Sequence, residues 1–142
     1  MTKTEETQTE KALRLNEELR QFTGDLVRYR HLLNRSVIYT PGVRHLAEET
    51  NAYWLIDAIA SWISSPKFEE SVREDSRISY LHFWKLDVAL NNSTAVLHAE
   101  ADSDVEPFIV QEIEFTDFPL NNISIWAGYD GTHWTLYLPS EH

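Results

Sequence analysis

The chain has 142 residues, 42% of them apolar and 12% aromatic, and no cysteine; that suffices for one domain with one core and excludes disulfides and thiol catalysis. Twelve basic against 23 acidic residues give a net charge of -11, and the excess is polarised: Met1–Lys85 holds 12 basic and 13 acidic residues, Leu86–His142 none and 10. A half without cations projects a negative field, and no direct, non-specific nucleic-acid binding is expected through it, because phosphate contacts need Lys and Arg.

Residues 1–10 are Thr/Glu-rich and read as a frayed tail ahead of a single α+β domain over 11–142. No run approaches bilayer length and no signal-like apolar stretch opens the chain, so no membrane association and a cytoplasmic setting are expected. Leu13, Leu15, Leu19 and Phe22 predict a helix from about Lys11, stopped by Gly24. Asp25 can cap a second short helix in which Leu26, Tyr29, Leu32 and Leu33 share a face. "SVIYTPG" reads as an extended piece and a turn, followed by a helical turn or two over Val43–Glu48.

Thr50 or Asn51 is the expected cap of a helix over Ala52–Ile63, whose only polar residues are Asp57 and Ser61. A helix this apolar is buried on most sides. Ser64, Ser65 and Pro66 end it, and a polar, charged connector follows over Lys67–Asp75, with a helical turn as the alternative. From Arg77 the period becomes two, predicting strands over Ile78–Leu90, Thr94–Ala101, Phe108–Phe115, Asn122–Tyr129 and His133–Leu138. Short turn-rich links favour an antiparallel meander. The expected fold is therefore α+β, with N-terminal helices packed on one face of a five-stranded mainly antiparallel sheet.

Alternation places Tyr80, Trp84, Leu86, Val88, Leu90, Leu97, Ile109, Phe115, Ile125, Trp134 and Leu136 toward the helices. The opposite face then carries Phe83, Lys85, Asp87, His98, Glu100, Phe108, Glu112, Glu114, Trp126 and Tyr137, a mixture of aromatic and acidic side chains. Large aromatics beside carboxylates suit a protein interface. Glu100, Asp102, Asp104, Glu112 and Glu114, with Trp126 and Tyr137 as anchors, are the candidate partner-binding residues. A basic protein surface or complex is the matching partner, and a homodimer is the alternative cover for the aromatics. Solubility alone is the competing reading of the charge.

Two other clusters carry chemistry. His98, Glu100 and Glu112 offer one imidazole and two carboxylates to a divalent metal if the second and third of these strands pair. Arg30, His31, Tyr39, Arg44 and Asp57 form the second. An Asp inside so apolar a helix needs a partner, and such a pair either performs acid–base chemistry in a pocket or anchors the helix to the preceding loop. No serine has nucleophile-elbow context, and no glycine pattern fits a phosphate or dinucleotide, so no cofactor is expected. "EFTDFPL" reads as a turn closed by Thr116 or Asp117 onto Pro119.

"FTG" at Phe22, "YRHLL" at Tyr29, "YTPGVRHLAEETNAYWLIDAIAS" from Tyr39, "FWKLDV" from Phe83, "FTDFPL" from Phe115 and "LYLPSE" from Leu136 together resemble an uncharacterised family of small bacterial, plasmid and phage proteins. The resemblance covers roughly Phe22–Glu141 and brings no activity. It implies a mobile-element setting, where small acidic proteins often block host-defence enzymes. The reading that follows is a non-enzymatic acidic interaction protein that occludes a basic surface of a nucleic-acid-handling or host-defence complex. The alternatives are a small enzyme or ligand-binding domain around Asp57 and a metal-binding protein through His98.

Overall fold

The computed structural model describes residues 7–23, 27–103 and 105–142. Helix α1 (Gln8–Arg20) starts at a capping box: the Thr7 hydroxyl accepts the Glu10 N–H at 3.1 Å and the Glu10 carboxylate accepts the Thr7 N–H at 3.4 Å. The helix thus begins three residues ahead of the expected Lys11, because the cap lies in the polar run that composition alone assigns to the tail. Leu15 and Leu19 are its buried residues.

Where a second helix was expected from Asp25, the chain forms a short antiparallel hairpin of β1 (Tyr29–Arg30) and β2 (Val37–Tyr39). Gly24, Asp25 and Leu26, the expected stop, cap and first apolar residue, lie outside the described residues. The helical spacing of Tyr29, Leu32 and Leu33 is overridden by tertiary pairing: β2 runs parallel to β7 (Trp134–Tyr137), and the Thr40 N–H continues the ladder to the Leu136 carbonyl at 3.1 Å.

Thr40 then caps α2 (Pro41–Thr50), its hydroxyl accepting the Val43 N–H, with Pro41 in the first turn. Asn51 ends α2 in the left-handed region at φ 53°. Neither Thr50 nor Asn51 caps the next helix: the Thr50 hydroxyl donates to the Leu46 carbonyl, and α3 (Tyr53–Ile63) starts at Ala52 without a side-chain cap. Helix α3 buries Leu55, Ile56, Ile59, Ala60 and Ile63. Ser65 and Pro66, expected only to end α3, also begin α4 (Pro66–Glu74), with the Ser65 hydroxyl accepting the Phe68 N–H. The supposed connector is thus largely helical and buries Phe68. A 3₁₀ turn over Ser76–Ser79 leads into the strands.

β3 (Leu81–Ala89), β4 (Thr94–Glu100), β5 (Ile109–Ile113) and β6 (Asn122–Tyr129) join the first-named three strands in one seven-stranded sheet of order β1-β2-β7-β6-β3-β4-β5. All neighbours are antiparallel except β2 and β7. The sheet is therefore mixed and two strands wider than expected, since two- and three-residue strands leave no periodic signal. Nor is it a simple meander. The link after β5 bonds to the β3–β4 turn, Thr116 N–H to Ser93 carbonyl at 2.8 Å, and returns the chain to the far side of β3. The Thr116 hydroxyl accepts the Phe118 N–H, giving the turn expected of "EFTDFPL" and burying Phe118 and Leu120 in the core.

One core joins Leu15 of α1, Leu46 of α2 and the α3 residues to Trp84, Leu86, Leu97, Ile125 and Leu136 of the sheet. The helices cover this face, as the alternation predicts. Four assignments differ. Tyr80, Leu90 and Phe115 are exposed because they lie beyond strand ends, where the two-residue period no longer holds. Phe108, placed outside by parity, precedes β5 and packs on Phe68 and His82. His82 is fully buried on β3, ringed by Phe68, Trp84, Phe108 and Trp134 at centroid distances of 4.8–5.8 Å.

Candidate functional site

The sheet face opposite the core carries a row set by register. Glu100 of β4 pairs with Phe83 of β3, Phe83 with Trp126 of β6, and Trp126 with Tyr137 of β7. Phe83 meets Trp126 edge-on at 5.1 Å, and Trp126 meets Tyr137 at 6.1 Å. The last residue, His142, extends the row: its ring stacks on Tyr137 and lies 5.1 Å from Trp126, and its Nδ1 is 3.0 Å from the Tyr137 hydroxyl. Partial burial in this stack raises the Tyr137 phenol's pKa. A groove of about 350 Å³ opens between Phe83, Trp126, Lys85, Ser124, Glu100 and Asp102.

The acidic residues expected here divide. Glu100 lies in the row, largely covered, and Asp102 stands exposed at its rim. Glu112 pairs with Val96, four residues from Glu100 along β4 and hence about 13 Å away at strand rise. Glu114 is exposed just past β5. Asp104 lies outside the described residues. The face is not uniformly anionic. Lys85 faces out between Glu100 and Asp87, and Arg77 from the 3₁₀ turn approaches Asp102 at 3.5 Å while donating to Asp75 at 2.8 Å. Its guanidinium holds the Asp75 carboxyl below the usual range. Periodicity gave no sign of Arg77, which sits outside any strand, or of His142, a lone terminal residue.

His98 lies between two carboxylates. Its Nε2 is 2.8 Å from Asp87 Oδ2, and its Nδ1 is 3.2 Å from Glu100 Oε1, off the line of a hydrogen bond. The carboxylates flank opposite ring nitrogens and Glu112 sits diagonally by Val96, so His98, Glu100 and Glu112 do not converge on one point. A His and two carboxylates do meet elsewhere: ligand atoms of Glu18, His45 and Glu49 lie within 4.8 Å of one another. There Arg14 reaches Glu18 at 2.8 Å and Glu49 at 3.4 Å, while His45 Nε2 is 2.6 Å from Glu18. The Arg14 bond, then His45, holds the Glu18 carboxyl below its ordinary range. The i,i+4 spacings of Arg14–Glu18 and His45–Glu49 were the available signal for this staple between α1 and α2.

Of the five residues of the Asp57 cluster, His31 and Asp57 meet, with Nε2–H donating to Oδ1 at 2.8 Å. His31 is the buried member of the pair, whereas the Asp57 side chain is 66% exposed on the solvent side of α3. His31 Nδ1 accepts the backbone N–H groups of Leu33 at 3.3 Å and Asn34 at 2.9 Å. Both ring nitrogens are therefore engaged, and neither offers a lone pair to a substrate proton. Arg44 lies 4.5 Å over the Tyr29 ring and donates to its hydroxyl at 3.0 Å, which raises the guanidinium's pKa further; Tyr29 stacks on Tyr39, whose phenol is raised by burial. Arg30 is exposed and alternates away from Tyr29 on β1. The five thus form a His–Asp clasp and a Tyr–Arg stack rather than one convergent pocket.

A model of a family of unknown function, DUF6876, matches residues 13–142. The chain belongs to this family. DUF6876 thus covers the whole stretch whose motifs carry the resemblance, with no activity attached. No curated protein matches the chain. A crystal structure of a protein of unknown function from Enterococcus faecalis is similar at 21% identity and a TM-score of 0.49, covering 83% of this chain and 93% of that one. Among the described residues, no helix is long and apolar enough to cross a membrane.

Proposed function

We propose that this DUF6876 protein is a non-enzymatic interaction module that docks through its outer sheet face onto a basic surface of a nucleic-acid-handling or host-defence complex and occludes it. The observation that carries the proposal is the Glu100–Phe83–Trp126–Tyr137 row, four side chains set side by side on the face away from the core. Aromatic anchors supply most contact energy in such interfaces, and surrounding carboxylates steer a cationic partner. The engagement of both His31 nitrogens supports a binding role over proton-transfer chemistry around Asp57.

Capture from host extract with immobilised wild-type protein tests this, at low and at moderate salt. A specific partner retained at low salt should weaken as salt rises, since exposed charges are screened. It should be lost from Trp126→Ala/Tyr137→Ala bait and reduced with Glu100→Gln/Asp102→Asn bait. Equal capture by all baits would refute the assignment of this face.

A further inference from the structure

The turn between β1 and β2 puts two leucines where turns ordinarily put Gly, Asn, Asp or Ser. Leu32 is 93% exposed and Leu33 91%, so neither packs against the fold. The turn is nonetheless built rigidly. The buried His31 takes two of its backbone N–H groups and is fastened to Asp57. The Asn34 carboxamide accepts from the Ser36 N–H at 3.1 Å and donates to the backbone carbonyl of Ala60 in α3 at 3.0 Å and to the Ser64 hydroxyl. A rigid apolar projection binds with little ordering cost.

Charge narrows what it binds. Val27–Ala47 carries four arginines and no acidic residue, leaving 8 basic against 23 acidic residues elsewhere. Two of those arginines, Arg30 and Arg35, flank the leucines and are exposed. The complementary surface is an apolar groove rimmed by carboxylates. This chain owns one: the groove of about 350 Å³ walled by Phe83 and Trp126, where Glu100 and Asp102 outnumber the one lining cation, Lys85. An anionic bilayer fits less well, because a net charge of -11 repels it as the turn approaches.

We infer that the occupant of the groove is the leucine turn of a second copy, with Leu32 and Leu33 against Phe83 and Trp126 and with Arg30 and Arg35 facing Glu100 and Asp102. This rests on the reading of the outer face as a docking surface for cationic partners and names one. The turn is fastened to α3 on the helix side of the sheet and the groove opens on the opposite face, so the contact is heterologous and builds chains or a ring rather than stopping at a symmetric dimer.

Analytical ultracentrifugation of the full chain across a wide concentration range tests it. At low salt the wild-type weight-average mass should rise progressively above the 16.6 kDa of one chain. Leu32→Ser/Leu33→Ser should weaken association at least tenfold with an unchanged melting temperature, since both side chains are solvent-exposed. Arg30→Glu/Arg35→Glu should abolish it, as should Glu100→Lys/Asp102→Lys. Mixing these two charge-reversed proteins should restore a complex. Should the lysine pair fail to fold, Glu100→Gln/Asp102→Asn replaces it and should weaken self-association. Wild type that stays at one-chain mass overturns the inference, even if another partner is still captured through Trp126 and Tyr137. So does a dimer indifferent to the leucine substitutions, or monomeric protein whose leucine turn cosediments with anionic vesicles.

Discussion

His82 makes stability depend on pH in a way that one substitution isolates. Its Nδ1 lies 3.2 Å from the Ile78 carbonyl, to which the neutral ring donates, while Nε2 is buried without a partner among the described residues. Four aromatic rings surround it, and burial pulls its pKa from 6.5 down to about 4. The folded state therefore holds the neutral ring, whereas the unfolded chain takes up a proton below about pH 6.5. The contribution to stability is complete above that pH and is lost progressively as pH falls toward 4. At 1.36 kcal/mol per pH unit the full loss is about 3 kcal/mol, of which about 2 kcal/mol falls between pH 7 and pH 5. Urea unfolding at those two pH values measures it directly. His82→Phe, an aromatic replacement inside an aromatic cage, should cost less than about 1.5 kcal/mol at pH 7. It should then lose about 2 kcal/mol less than wild type on going to pH 5. Identical losses in the two proteins would refute the buried neutral histidine.

Three further changes probe the scaffold. A Cβ at Gly42 would sit 2.6 Å from Glu141 Oε1 and 2.8 Å from Leu138 Cδ1, so Gly42→Ala should displace the Glu141 carboxylate from the Thr40 hydroxyl and the Leu138 N–H and cost about 1–2 kcal/mol by thermal or urea unfolding. Thr40→Val should have a related effect, removing both the α2 cap and the 2.6 Å bond to Glu141, with a loss of about 1–2 kcal/mol. His31→Ala strips the acceptor from the Leu33 and Asn34 N–H groups; about 1–3 kcal/mol of stability should go, and hydrogen exchange should quicken at those two amides first.

Much of this architecture was legible in the alternation of the C-terminal half. Trp84, Leu86, Leu97, Ile125 and Leu136 point into the core and Phe83, Trp126 and Tyr137 away from it, because a strand pattern with one face buried fixes its own register. The row across the sheet was only half legible. Which residues shared a face followed from parity, but that Glu100 would stand beside Phe83, and Glu112 far from it, depended on pairings that no local pattern encodes. The short strands were half legible: "SVIYTPG" read as extended, as β2 bears out, but β1 left no signal, and the pairing that makes β2 a sheet strand joins Tyr39 to Leu136, nearly a hundred residues apart. The pairing of Asp57 was foreseen from the cost of an isolated charge in an apolar helix, yet the buried partner proved to be His31. Burial follows the helix's solvent angle, and Asp57 lies on the outer side. Arg77 and His142 act from irregular segments, where neither period applies.

The most direct test of the central claim is hydroxyl-radical footprinting of the protein alone and bound to a partner captured at low salt. Docking through the outer face predicts strong protection of Trp126, Tyr137 and Phe83, with Trp54 and Trp62 of α3 labelled equally in both states. Protection of Trp54 and Trp62 with Trp126 and Tyr137 unchanged would place the interface on the helices and contradict the account.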